Sequence, residues 1–177
     1  FYAKVRELPN VEVVDLSEAF WKLKDSGQVF LKQDTHWTPA GMELAAKTIS
    51  ERIGARPWHQ PGSELQPAGR ETRHSLGDLV EKLDAGPGIF AKESIEVTPV
   101  IGKTRDQNSP IVLLGDSFTN IYADAIGLDW GTGAGFAEHL ALGLGTPIDV
   151  IAINGGAATG VRRALAQRKG SMAMMKK

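Results

Sequence analysis

The stretch IVLLGDSF, residues 111–118, joins an apolar run to a glycine turn and a hydroxyl. A continuously apolar segment of this length reads as a strand over 111–114 buried on both faces, as in a parallel sheet. Gly115 permits a sharp turn at its end, and Ser117 then stands at the top of the sheet where a helix begins, expected over 118–125. That place suits a nucleophile, because helix-start N–H groups stabilise negative charge developing on a substrate oxygen. It also suits a plain helix N-cap, which is the commoner role for G-D-S taken alone.

The pattern continues on both sides. Toward the C-terminus, a glycine-rich turn (GLDWGTGAG, 127–135) leads into a helix over 136–142 and a second buried strand over 148–153. Asn154-Gly155-Gly156 ends that strand, and Thr159 is expected to cap a last helix carrying Arg162 and Arg163. Toward the N-terminus, 95–101 alternates apolar and polar residues but contains Pro99, so it reads as an edge or irregular strand. A short helix is expected over 79–83, and 55–73, with Pro57, Pro61 and Pro67, reads as loop, part of a loop or insertion spanning 55–75. Thr38-Pro39 opens a helix with Met42, Ala45, Ala46, Ile49 and Ile53 on one face and Gly54 as its stop. Before it come an apolar run over 29–31, a strand over 11–16 (VEVVDL), and a helix over 17–25 capped by Ser17 and stopped by Gly27.

Strands alternating with helices predict an α/β three-layer sandwich with a mostly parallel, flavodoxin-like sheet, which binds ligands beyond the carboxyl ends of its strands. FYAKVREL (1–8) opens the chain in a helix with no strand before it, and SMAMMKK (171–177) closes it with none after the last helix. Residues 1–177 are therefore expected to form a single domain excerpted from a longer chain and lacking terminal strands.

Composition narrows the function. In 177 residues, 20 Lys+Arg oppose 21 Asp+Glu, leaving a formal charge of −1 and no basic excess to argue for nucleic acid. The 42% hydrophobic and 23% charged fractions are those of a globular domain, without an apolar run long enough to span a bilayer. Cysteine is absent, which removes disulfides, thiolate metal sites and cysteine nucleophiles together.

A serine nucleophile needs an imidazole to take its proton and a carboxylate to orient that imidazole. Asp34-Thr35-His36-Trp37 offers both, since residues two apart in an extended segment project to the same side. Alone, Asp34 reads as a loop cap and His36 as a structural histidine. With each segment at a strand end on the same rim of a parallel sheet, a Ser-His-Asp set becomes the better account. Metal-dependent phosphoesterases also use D-x-H followed later by G-D, but they need further ligands. Here Asp116 is followed by Ser117 and Phe118, Asn154 by Gly155, and His59, His74 and His139 read as surface or packing residues. No metal is expected. Gly131, Gly133 and Gly135 follow a helix rather than a strand, so no dinucleotide cofactor is expected either.

QDTHWTPAG at 33–41, LLGDSF at 113–118 and GFAEHLALGLGTPIDVIAINGG at 135–156, in that order, resemble the alginate O-acetyltransferase proteins of the AlgJ/AlgX type. These are SGNH hydrolase-like, with the Asp-His segment ahead of the serine. The resemblance implies a triad of Ser117 as nucleophile, His36 as general base and acid, and Asp34 as its orienting partner. It also implies a periplasmic setting, an acetyl donor supplied by a membrane-bound O-acyltransferase, other exopolysaccharide assembly proteins as partners, and a polysaccharide acceptor. By position, backbone N–H groups at Ser117 and Phe118 and the Asn154-Gly155-Gly156 turn are the oxyanion-hole candidates. Trp37 and Tyr122 can meet a sugar ring and Arg162 and Arg163 a uronate carboxylate, although packing and solvation explain all four equally well. A carbohydrate acetylesterase using the same triad, and a non-catalytic polysaccharide-binding or assembly component, remain the alternatives.

Overall fold

The computed structural model describes residues 1–84, 86, 88–124 and 130–168. The chain opens with helix α1 (Tyr2–Arg6), followed by α2 (Ser17–Lys24) and the long α3 (Pro39–Gly54). As the proline signal predicts, α3 starts directly after Thr38, whose hydroxyl accepts the Gly41 N–H at 3.2 Å. Its inner face, Met42, Ala45 and Ala46, is fully buried against Leu140, Ala141 and Leu144 of α6 (Phe136–Leu144). The small alanines let the two helices approach closely, and each large side chain buried there contributes about 1.5–3 kcal/mol.

Strands β5 (Val112–Gly115) and β6 (Asp149–Ala152) pair in parallel, with Val112 opposite Asp149 and Gly115 opposite Ala152. The ladder continues as Ile153 N–H donates to Gly115 O at 3.1 Å, which draws the ends of both strands to one rim. Helix α7 (Ala157–Gln167) packs on this pair. Burial on both faces, expected for 111–114, is only partly realised: β5 is half-buried and Leu114 is 44% exposed. Among the described residues β6 is its only ladder partner.

Two antiparallel pairs accompany the parallel one. β1 (Gln66–Pro67) pairs with β4 (Val100–Ile101), and β2 (Glu71–Ser75) with β3 (Glu93–Val97). The region expected as a loop or insertion over 55–75 therefore contains two strands. Their partners lie far along the chain, Arg73 opposite Ile95, so tertiary pairing overrides weak local propensity. The expected strand over 95–101 is broken at Thr98-Pro99 into β3 and β4.

Three further expectations are corrected. Residues 11–16 form no ladder, and the Asp15 carboxylate instead accepts the Ser17 N–H at 3.0 Å, so Asp15 rather than Ser17 satisfies the start of α2. Thr159 lies inside α7, which begins two residues earlier. The helix after β5, α5 (Ser117–Asn120), is one turn long and gives way to turns through Ala123; residue 125 of the expected helix lies outside the described residues, as do 127–129 and 171–177. The remaining short helix, α4 (Asp78–Lys82), falls where 79–83 predicts it. No described helix is long and apolar enough to cross a membrane.

Candidate active site

Residues 29–38 fold back on themselves as a narrow loop. Leu31 N–H donates to His36 O at 3.0 Å, and Thr38 N–H to Val29 O at 2.8 Å. Asp34 and His36 lie in this loop, 4% and 3% exposed, and His36 Nδ1 is 2.5 Å from Asp34 Oδ1. The same oxygen accepts the His36 backbone N–H at 3.0 Å.

The other carboxylate oxygen, Oδ2, accepts the Asp78 N–H at 3.1 Å and the indole N–H of Trp130 at 3.0 Å. Burial works against the charge on Asp34, but the hydrogen bonds from His36, Trp130 and Asp78 outweigh it and hold the carboxyl well below the usual carboxylate range. An ionised carboxylate only accepts, so His36 Nδ1 carries a proton and, in the neutral ring, Nε2 is the nitrogen with the lone pair. Nε2 is buried and has no hydrogen-bond partner among the described residues.

The loop is clamped from outside by α4. Asp78 Oδ1 accepts the Thr35 N–H at 2.8 Å and Oδ2 the Thr35 hydroxyl at 2.9 Å, while Leu79 N–H donates to Gln33 O at 3.1 Å. This approach requires glycine at 77, where a Cβ would stand 1.9 Å from Gln33 O and 2.7 Å from Asp34 Cβ. Ligand atoms of Asp34, His36 and Asp78 lie within 4.8 Å of one another. Both carboxylates already accept several N–H and O–H donors, which a cation there would have to displace.

Ser117 stands two residues beyond Gly115, the last residue of β5. It is half-buried and forms the first residue of α5, and the ring of Phe118, one residue on, lies 4.8 Å centroid to centroid from the His36 imidazole. The capping role belongs to Asp116, whose Oδ1 accepts the Phe118 N–H at 3.0 Å. The Ser117 hydroxyl is thus not committed to a cap. Gly115 allows the tight entry to α5, because a Cβ there would stand 2.0 Å from Thr119 Oγ1.

Of the oxyanion candidates, Phe118 N–H is occupied by Asp116 and Gly156 N–H by Ile153 O at 3.0 Å. The Ser117 and Gly155 N–H groups have no acceptor among the described residues. Asn154 is tied to α5 by its side-chain oxygen, which accepts from Asn120 Nδ2 at 2.8 Å. Gly155, at φ +67°, makes the turn beyond β6.

The candidates for sugar contact separate. Tyr122 is fully buried and donates its hydroxyl to Trp37 O at 2.7 Å, and burial pushes its phenol far above the usual range. It holds the D-T-H-W loop rather than a ligand, a correction to the expectation. Its left-handed backbone, φ 66°, costs about 1–2 kcal/mol, which this anchoring offsets. Trp37 is half-buried, stacked on Phe136 at 5.4 Å and edge-on to Phe118 at 5.4 Å. Arg162 is exposed and lines a cavity of about 270 Å³ with Leu114, Gly115, Asp116, Ala157 and Val161, beside the Ser117 turn. Arg163 is exposed and does not line it.

Sequence reasoning missed Trp130 and Asp78. Trp130 sits in a glycine-rich turn 96 residues from Asp34 and carries no local signal. For Asp78, the S-L-G-D helix start was visible, but not the surface it would press against.

Comparisons with known proteins bear on the family and the fold. The family model described as "SGNH hydrolase-like domain, acetyltransferase AlgX" matches residues 2–173. A Pseudomonas putida protein described as probable alginate O-acetylase AlgJ is 36% identical over 127 residues, 70% of this chain and 31% of its own length. Its Pseudomonas aeruginosa counterpart is 35% identical over 131 residues, 66% of this chain and 32% of its own. This chain therefore spans about a third of the length of these curated relatives. The O-acetyltransferase domain of Pseudomonas putida AlgJ superposes with a TM-score of 0.70 at 24% identity, over 97% of this chain and 58% of that one. Pseudomonas aeruginosa AlgX superposes at 0.58 and 21% identity, over 80% of this chain and 32% of that one. At these identities the two structures speak for the fold, which is the α/β SGNH hydrolase-like one expected.

Proposed function

The chain belongs to the family of SGNH hydrolase-like domains of the acetyltransferase AlgX, and from that premise we propose that it moves an acetyl group, through a serine acyl-enzyme, to hydroxyls of a secreted polysaccharide. Alginate is the polymer named for its relatives, and alginate or another exopolysaccharide is the acceptor proposed here. The observation that carries this reading is the buried, unpartnered Nε2 of His36. Its ring is fixed by an ionised Asp34 and lies against the residue that follows Ser117.

Ser117 Oγ attacks the acetyl carbonyl carbon while His36 Nε2 takes the hydroxyl proton, and Asp34 stabilises the imidazolium. The Ser117 and Gly155 N–H groups are the donors left to hold the oxyanion. Collapse of the tetrahedral intermediate breaks the bond to the donor's leaving group, which departs with the proton from Nε2. A sugar hydroxyl then attacks the acetyl-serine and gives its proton to Nε2. The carbonyl reforms, Ser117 leaves, and the proton returns to its oxygen. Arg162, which lines the same cavity as Asp116, meets a carboxylate of a uronate acceptor, and Trp37 offers its half-buried ring to the sugar.

The reaction takes place in the bacterial periplasm, with the acetyl group delivered by a membrane-bound O-acyltransferase and the product passed on among exopolysaccharide assembly proteins. Incubation with an acetyl ester and a uronate oligosaccharide tests the reading by mass spectrometry of the sugar. Acetylated oligosaccharide is expected, and free acetate without it would replace transfer by esterase activity.

A further inference from the structure

A carboxylate aimed at an imidazole is free to swing about its terminal torsion, which is broad and only two-fold, unless its second oxygen is held. In this chain that oxygen is held by two donors from remote segments, the Asp78 backbone N–H and the Trp130 indole N–H. The backbone donor is supplied by any residue but proline at 78, whereas the indole donor depends on one side chain.

Trp130 is itself braced at both ends. It is 1% exposed, its carbonyl accepts from Arg73 Nη1 at 2.9 Å, and Arg73 Nη2 reaches Thr132 O at 2.8 Å. Its ring meets Tyr122 edge-on at 6.4 Å, and the Tyr122 hydroxyl closes the circuit on Trp37 O, next to His36. We propose that Trp130 is a positioning residue: its indole N–H fixes the plane of Asp34 so that Oδ1 faces His36 Nδ1 and the imidazole is locked as the Nδ1–H tautomer. Arg73 acts one step further out by holding the turn that carries Trp130. The inference rests on the acyl-enzyme reading for its kinetic consequence, not for its structural one.

Two replacements remove the donor. Trp130→Phe keeps an aromatic ring but loses volume. Incorporating the benzothiophene analogue of tryptophan at 130 puts sulfur in place of N–H and keeps the shape, so it decides the matter if Trp130→Phe does not fold. In the isosteric variant the rate of Ser117 acetylation should fall about ten- to a hundred-fold, with KM for the donor unchanged and the melting temperature close to the parent's. Nitrogen NMR of the neutral His36 ring should show one Nδ1–H tautomer in the parent and a mixture in the variant. Parent-like rate and a single tautomer in the isosteric variant would overturn the proposal. If the parent never acetylates Ser117, the proposed function fails instead, and the tautomer measurement still decides for or against the role of Trp130.

Discussion

The two halves of the site are built differently. The Asp34–His36 loop is fastened on every side, by its own cross-loop bonds, by Asp78 of α4, by Trp130 and by Tyr122 beneath Trp37. The Ser117 turn stands at the end of a two-stranded parallel pair, opens a helix of a single turn and is held by the Asp116 cap and the Asn120–Asn154 bond. Chemistry accounts for the contrast. On the proposed mechanism the base would have to hold one tautomer and one direction, which takes many fixed donors, whereas a serine that becomes acylated and released would need access and room.

The largest expected effect comes from removing the charge that orients the base. Asp34→Asn keeps the side-chain shape but offers His36 no ionised acceptor, and acetylation of Ser117 should fall about 10³–10⁴-fold with the fold intact by circular dichroism. A rate within tenfold of the parent's would show that the clamped half is not the catalytic half.

Gly77→Ala loosens the same loop from outside. The added methyl cannot be placed beside Gln33 O without moving α4, so stability should drop by about 1–3 kcal/mol in denaturant unfolding, together with a clear loss of rate. On the other side, Asp116→Ala removes the cap of α5 and should cost about 0.5–2 kcal/mol. If the Asp116 variant lost more stability than the Gly77 variant, the contrast between rigid and lightly held halves would be inverted.

A smaller effect appears with pH. Hydrogen bonds in the native state depress the Asp34 carboxyl, so its contribution to stability is fully present above its unfolded value near about 4 and is lost as pH falls through the lower, folded value. The difference in melting temperature between the parent and Asp34→Asn should therefore be constant from neutral pH to about 5 and shrink in stronger acid. A difference that persisted unchanged to about pH 2 would contradict the ionised, hydrogen-bonded state.

What was legible in the sequence divides along the same line. Asp34 and His36 are two residues apart and Ser117 stands three residues past the apolar run over 111–114, so local rules single them out as candidates. Thr38-Pro39 marks α3 for the same reason. Trp130 and Arg73 act through contacts that exist only after folding, and no periodicity announces them. For Tyr122 a sugar contact and core packing fit the sequence equally well, and only the fold, with the residue fully buried at φ 66°, decides for packing. Asp116 and Ser117 are both good cap formers, and only the Phe118 N–H bond shows which of them caps. The strand expected over 11–16 has the right residues but no partner among those described.

The central claim, that Ser117 is acylated by an acetyl donor with His36, clamped through Asp34, as its base, is tested most directly by intact-mass spectrometry with peptide mapping after exposure to an activated acetyl ester. The account predicts a single acetyl adduct on Ser117, absent from Ser117→Ala and strongly slowed in Asp34→Asn. An adduct elsewhere, or none with any acetyl donor while the parent still binds uronate oligosaccharide, would contradict it and leave a polysaccharide-binding domain in its place.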